Sequence, residues 1–337
     1  MKRKLYLAAI AAVTFAACTE PVTSEPENLQ GLVKLDLSLS NGETKSVGTD
    51  DENKISSLQI FVFDDSGDIE AYKLEKYTNQ TIISSAKTFV DCTPGSKKIV
   101  AVANAPEMPD VRSYEELGGK TSYLSDNGTK KLHMIGETDL EVVAATEVTI
   151  PVSRIAAKVT IASIKNDMAL DYYKNMSFSI TNIFMLNVAG STGYLEDKEP
   201  ESWYNMMVRQ DNGNLRFLLD RNSSTPITVN YSETVTFTQD QEHAYYVYPN
   251  STETDSSDQE TWCPRYTRMV LEARLGGELY YYPVSIPDIE RNTAYEVHLT
   301  VTRPGSSSPD VPVDVVAVSI TVNVVDWNDG AKINETI

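Results

Sequence analysis

The residues that could do chemistry are few and lie far apart. Cys18 closes the run MKRKLYLAAIAAVTFAAC, in which Lys2, Arg3 and Lys4 precede an apolar stretch from Leu5 to Ala17. That stretch is too short to span a bilayer and ends in the small residues Ala16 and Ala17, the arrangement of a secretory leader. A cysteine placed directly after it resembles a bacterial lipobox, whose thiol is acylated and becomes the new N-terminus. The polar TEPVTSEPEN that follows reads as a tether. Acyl chains hold a protein at a membrane by burying methylenes, at about 0.8 kcal/mol each. The alternative is a plain leader with an incidental cysteine. A second chemical candidate is a scissile bond. Lys45 is the basic residue of the polar segment Asn41-Gly42-Glu43-Thr44-Lys45-Ser46, where a trypsin-like protease would cut between Lys45 and Ser46.

Other chemistry is not expected. Cys92 and Cys263 are distant and show no CxxC spacing. Export permits a disulfide, but two free buried thiols are the simpler reading. His133, His243 and His298 are scattered, whereas a metal needs clustered ligands. No GxSxG, HExxH, P-loop or Rossmann glycine pattern occurs. With 48 acidic residues, neighbouring carboxylates are inevitable and do not mark an acid–base pair. The expectation is a chain that is not an enzyme and uses no cofactor. The net charge of -19 and pI of about 4.6 make nucleic acid a poor partner.

The elements that must position these residues are strands. At 337 residues and 41% hydrophobic composition, the chain can bury two domain-sized cores. Leu58, Ile60 and Val62 alternate with Gln59 and Phe61 before the turn Asp64-Asp65-Ser66-Gly67, and Ile99–Ala103 follows the turn Thr93-Pro94-Gly95. Comparable runs lie at Val148–Ile150, Ile155–Ile164, Phe178–Val188, Thr234–Thr238, Tyr245–Tyr248, Met269–Leu275, Leu279–Val284 and Tyr295–Val301. Each is short, β-branched or aromatic, and bounded by turn residues. Ser113 before Tyr114-Glu115-Glu116-Leu117 predicts one short helix. The fold class predicted is all-β, with two tandem β-sandwich-like domains and short helical turns. A boundary is expected near residues 151–155, where Pro151-Val152-Ser153-Arg154 separates two strand-like runs, because proline interrupts a ladder. The Pro/Gly/Ser-rich Arg303–Asp310 is expected to be a hinge or linker.

Two segments at opposite ends share one pattern. In LVKLDLSLS, Val33, Leu35, Leu37 and Leu39 occupy one face of a strand; in VSITVNVV, Val318, Ile320, Val322 and Val324 do the same. Either could fill one groove, and burying four aliphatics is worth about 6–12 kcal/mol before entropy costs. The alternative is that they are simply the first and last strands of a monomer. The adjoining Val324 and Val325 predict a bulge or change of face before Trp327.

Five stretches resemble the FimA-type fimbrillins of Bacteroidales, the subunits of type V pili. They are FAAC at Cys18, GETKSVGTDDENKISSLQIFVFD at 42–64, KKIVAVANAP at 97–106, IERNTAYEVHLTVTRPGSSSP at 289–309, and SITVNVVDWND with Trp327. The resemblance implies transthyretin-like domains and a precursor whose parts are a lipoprotein leader at 1–18, a removable tether and pro-strand at 19–45, an N-terminal domain at 46–152 and a C-terminal domain at 153–337. It implies acylation at Cys18, cleavage between Lys45 and Ser46, a groove-filling pro-strand carrying Val33, Leu35, Leu37 and Leu39, and a donor strand within 311–327. That donor carries Val318, Ile320, Val322, Val324 and Trp327. The implied partners are identical or homologous subunits, a processing protease, and the outer membrane through the lipid; the implied destination is an extracellular adhesive fimbria. The better-known fimbrillins are cut after arginine, so lysine here implies a different protease or slower processing. The rival reading is a surface lipoprotein that binds glycans through Trp203, Trp262 and Trp327 and never polymerises. Cys18→Ala is expected to abolish acylation, read as loss of incorporated labelled fatty acid; a mutant still labelled would show that Cys18 is not the acceptor.

Overall fold

The structure, a computed structural model, describes residues 33–41, 52–77, 87–128, 131–143, 145–206, 226–237, 243–253, 262–311, 324–326 and 331–336, with backbone alone at 33–41, 324–326 and 331–336. It opens with β1 (Val33–Asn41), β2 (Ser57–Phe63), β3 (Ile69–Lys76), β4 (Lys87–Cys92) and β5 (Gly95–Ala103). A short helix, α1 (Tyr114–Gly119), precedes β6 (Thr121–Tyr123), β7 (Met134–Val142) and β8 (Thr146–Arg154). The Ser113 hydroxyl caps α1 by accepting from the Glu116 N–H at 3.1 Å, as the sequence predicted. All of these strands except β6 form one seven-stranded sheet, in the order β3-β2-β5-β7-β8-β1-β4.

Alternation misleads on β2. Leu58, Ile60 and Val62 are buried, but so are Gln59 and Phe61, because both faces of this strand are covered. Phe61, Phe63, Tyr72 and Tyr114 make a ring cluster, with α1 supplying Tyr114 against Phe63 at 5.7 Å. Gln59 survives there because its amide is saturated. Its Nε2 donates to the Pro106 carbonyl at 2.9 Å, and its Oε1 accepts from the Met108 N–H at 2.7 Å and the Tyr72 hydroxyl at 3.1 Å.

Pro151 does not separate two strands. It lies inside β8, which runs on to Arg154; the break comes at Ile155-Ala156, before the next strand at Ala157. β8 changes partner midway, pairing with β1 through Val152 and with β7 at Ser153 and Arg154. Gly136 of β7 lies against the Pro151 carbonyl so closely that any Cβ would overlap it, so the approach of β8 requires glycine there.

The later strands are β9 (Ala157–Asn166), β10 (Phe178–Leu186), β11 (Val188–Ala189), β12 (Ser191–Gly193), β13 (Trp203–Tyr204), β14 (Ile227–Thr228), β15 (Thr234–Thr236) and β16 (Ala244–Val247), with the single helical turn α2 (Asp171–Lys174) after β9. They continue with β17 (Thr267–Leu275), β18 (Glu278–Ile286), β19 (Thr293–Val301), β20 (Val324–Asp326) and β21 (Ala331–Thr336). β14-β10-β17-β18 form one antiparallel sheet. In another, β9 takes β15 and β16 on one side and β19, parallel, on the other.

The early and late strands share one continuous buried apolar cluster, which includes Phe61, Val100, Val159 and Tyr248. A buried polar knot joins them as well. β6 pairs with β12, and the Ser122 hydroxyl contacts both His133 Nδ1 at 2.8 Å and the Tyr248 hydroxyl at 2.6 Å. Burial pushes the His133 imidazolium down to about 4 from 6.5, outweighing the attraction of Asp126. Between those values the unfolded chain takes up a proton that the folded chain refuses. This contribution to stability is therefore complete above about pH 6.5 and is lost as pH falls toward about 4. His133→Asn should lose less stability than wild type between about pH 7 and about pH 5, read from urea midpoints; equal losses would place the acid sensitivity elsewhere.

Candidate functional site

The site is a strand position with a neighbour on each side. β1 pairs antiparallel with β4 and parallel with β8. Its register sets Val33, Leu35 and Leu37 opposite Cys92, Val90 and Thr88, all buried. On the other side Leu37 and Leu39 stand opposite Val148 and Ile150. Lys34, Asp36 and Ser38 align instead with the exposed Asp91, Phe89 and Lys87. The four aliphatic positions thus share the inward face of the flanking strands, as alternation requires. β4 shows the same alternation, exposed then buried throughout.

Neither flanking strand is otherwise well partnered. β4 ends the sheet, and β8 meets β7 at only two register positions, Ser153 and Arg154. Without β1, the groups of β4 and β8 that face it would lose their ladders, leaving two edges one strand apart.

The chain's C-terminal end also lies on a sheet edge. β20 pairs antiparallel with β19, setting Ala294 opposite Val325, and β21 runs parallel to β19 from Tyr295↔Ala331 to Thr300↔Thr336. The sequence gives no sign of β21, since AKINET holds a single large aliphatic. Val318, Ile320, Val322 and Trp327 lie outside the described residues; Val324 opens β20. Cys18, Lys45 and Ser46 also lie outside them.

Arg303–Asp310 is not the free hinge its composition implies. Ser306 bridges Tyr281 by two backbone hydrogen bonds of 2.8 Å, and Gly305 presses on the Tyr281 carbonyl where a Cβ could not fit. Asp310 is wholly buried. Its two carboxylate oxygens accept from Arg265 Nη1 at 2.7 Å and Arg268 Nη1 at 2.8 Å, and Asn187 Nδ2 adds a third bond at 3.0 Å. An aspartate after a serine run reads as solvent-facing; the arginines that bury it come from distant positions and give no local signal.

Trp203 and Trp262 are half-buried and packed edge to face at 5.2 Å, and the Trp262 indole N–H donates to Asn187 Oδ1 at 3.3 Å. Trp327 lies outside the described residues. Cys92 is buried and Cys263 half-buried, and no disulfide joins them. Among the described residues, no cluster of His, Cys, Asp and Glu could hold a metal ion, and no helix is long and apolar enough to cross a membrane. The contact between Ser122 and His133 pairs a hydroxyl with an imidazole, but each residue is 1% exposed, so no substrate reaches it.

The family model for the major fimbrial subunit protein (FimA) matches residues 33–203, beginning at the first residue of β1. The chain belongs to the FimA family. This FimA-family chain is 20% identical to the major fimbrium subunit FimA type-2 of Porphyromonas gingivalis, over 97% of each chain. Its fold is similar to that of a fimbrilin (FimA) of P. gingivalis, with a TM-score of 0.57 and 17% identity over 91% of this chain and 98% of the other. It is also similar to the tip fimbrial protein Mfa3 of P. gingivalis with a C-terminal truncation, with a TM-score of 0.55 and 14% identity over 88% and 100%. The all-β architecture is that of fimbrilins. Membership makes the chain a fimbrial subunit of a structural rather than enzymatic family, and places it in a cell-surface or extracellular fimbrium.

Removing the Asp310 carboxylate would leave Arg265 and Arg268 buried without their counter-charge. Asp310→Ala should cost on the order of 3–5 kcal/mol in urea unfolding. Glu107→Ala, which breaks an exposed pair with Lys76, should cost under about 1 kcal/mol. Equal small losses would mean that Asp310 is not a structural fixture.

Proposed function

We propose that this chain is a polymerising pilin whose β1 is a removable plug. It is exported as a lipoprotein through Cys18, cut between Lys45 and Ser46, and joined to its neighbour when residues 311–327 of one subunit enter the position that β1 vacates in the next. The product is an adhesive fimbria, and the mature subunit comprises the domains 46–152 and 153–337. The observation that carries this reading is the interior place of β1 between β4 and β8. A first strand lying at a sheet edge could leave without opening a slot; an interior one cannot.

The charge of the chain does not drive assembly. Residues 1–45 contain five basic and five acidic side chains, so the mature chain keeps the net charge of -19. The driving force is the burial of four alternating aliphatics and the restored ladders. The parking of β20 and β21 on β19 means that donation also begins with strands leaving an edge of their own subunit.

Lys45→Ala should give a folded monomer that does not polymerise, read by sedimentation and electron microscopy; normal filaments would show that cleavage there is not the switch. Ile320→Asp should reduce assembly far more than Asn323→Asp, because a charge on the inward face is buried unpaired at a cost of several kcal/mol. Cysteines introduced as Ile320→Cys and Val148→Cys should cross-link between subunits in filaments; cross-links found only within a chain would end the exchange reading.

A further inference from the structure

The first described residue after the segment that holds Lys45 is Glu52, and it is buried to 1% exposure. Its carboxylate lies 2.6 Å from Lys158 Nζ and accepts from the Tyr246 hydroxyl. Arg154, 3% exposed, donates from Nε to the Glu52 carbonyl at 3.3 Å and from a terminal nitrogen to Asn53 Oδ1. Asn292 Oδ1 holds that arginine in turn, accepting from its backbone N–H and from Nη1, both at 3.4 Å. Lys158 belongs to β9 and Tyr246 to β16, so the residues just after the processing segment are fastened to the later strands.

A second fastening follows at once. Asn104, in the left-handed conformation at φ 62°, donates from Nδ2 to the Lys54 carbonyl at 2.8 Å and accepts at Oδ1 from the Ser56 N–H at 2.8 Å. Ile55 between them is 1% exposed. The peptide bond after Lys54 is therefore tied on both sides. Asparagine tolerates this backbone better than most residues, which gives the Ala-Asn end of KKIVAVANAP a physical role.

These contacts bear on which lysine a protease can use. A protease must draw the chain on both sides of the scissile bond into an extended form, so it cuts where local opening is easy. Lys34 sits in β1, paired with Asp91 of β4, and the next residue, Leu35, is paired on both sides. Lys54, the next basic residue after Lys45, lies behind Glu52 and under Asn104. Asn41 pairs with Val152, and two residues on Arg154 grips Glu52 and Asn53, so the described residues on either side of 42–51 both meet the end of β8. Lys45 is the sole basic residue in between.

We propose that the Glu52–Arg154–Lys158 anchor, backed by Asn104, sets the site specificity of maturation. It confines cleavage to Lys45 and holds the new N-terminus at the end of β8 when β1 departs. This rests on the reading that maturation is a cut after a basic residue, and the test separates the two. The full-length chain is treated with limiting trypsin, and the new N-termini are read by mass spectrometry. Wild type should stop at Ser46. Glu52→Gln and Arg154→Met should release chains beginning at Ile55 about tenfold faster, as the opening equilibrium shifts. Tyr246→Phe, which removes one hydroxyl, should fall between them and serves if the other variants fail to fold. The anchor is overturned if wild type is cut equally well after Lys54, or if folded variants still stop at Ser46. The mature protein sheared from cells is sequenced in parallel. A surface N-terminus other than Ser46 overturns the maturation reading alone, while a surface N-terminus that stays at Ser46 in Glu52→Gln overturns the role of the anchor in cells.

Discussion

A strand bonded on both sides is the constraint on which the rest of this structure depends. β1 supplies ladder partners to β4 and to the first seven residues of β8. Backbone N–H and C=O groups must be paired or wet, so the sheet is complete only while some strand occupies that place. The inward faces of β4 and β8 impose a second condition: the occupant must present an aliphatic at every other residue, in one register. Gly136 adds a third, since it lets β8 come close enough to β7 to turn from one set of partners to the other.

The buried charges stand at the margins of this arrangement. Glu52 with Lys158 and Arg154 lies ahead of β2, and Asp310 with Arg265 and Arg268 lies after β19. Removing two charges from water offsets most of their attraction, so such groups add little net stability. What they provide here is position. A carboxylate with two guanidinium donors admits few geometries, so Asp310 is located closely although it is not in a strand. Glu52 is located by Lys158 and Tyr246 at its carboxylate and by Arg154 at its backbone carbonyl.

Much of the fold was legible because strands announce themselves by alternation. VKLDLSLS, the β5 run IVAVA and the Tyr295–Val301 strand all fall where their patterns put them. The failures have physical causes. β2 is buried on both faces, so its period carries little information and Gln59 reads wrongly as a solvent residue. Pro151 sits within β8, pairing with Ser40 in the parallel ladder. The serine-rich Arg303–Asp310 has the composition of a linker, and the residues that hold it, Tyr281, Arg265, Arg268 and Asn187, all lie more than twenty residues earlier. Of the site, the pattern of β1 was readable but its interior place was not. A strand's neighbours depend on β4 and β8, whose sequences do not name their partner.

Asp310 has a mechanical consequence. Once β20 and β21 are drawn off β19, a pull on the chain beyond residue 311 is borne by Asp310, and passes from there into β17 through Arg268. Ions in solution screen exposed charges within about 10 Å at ordinary ionic strength but reach a dry pair poorly. The strength of this anchorage is therefore nearly independent of salt. A tether fastened in this way holds as firmly in brine as in fresh water.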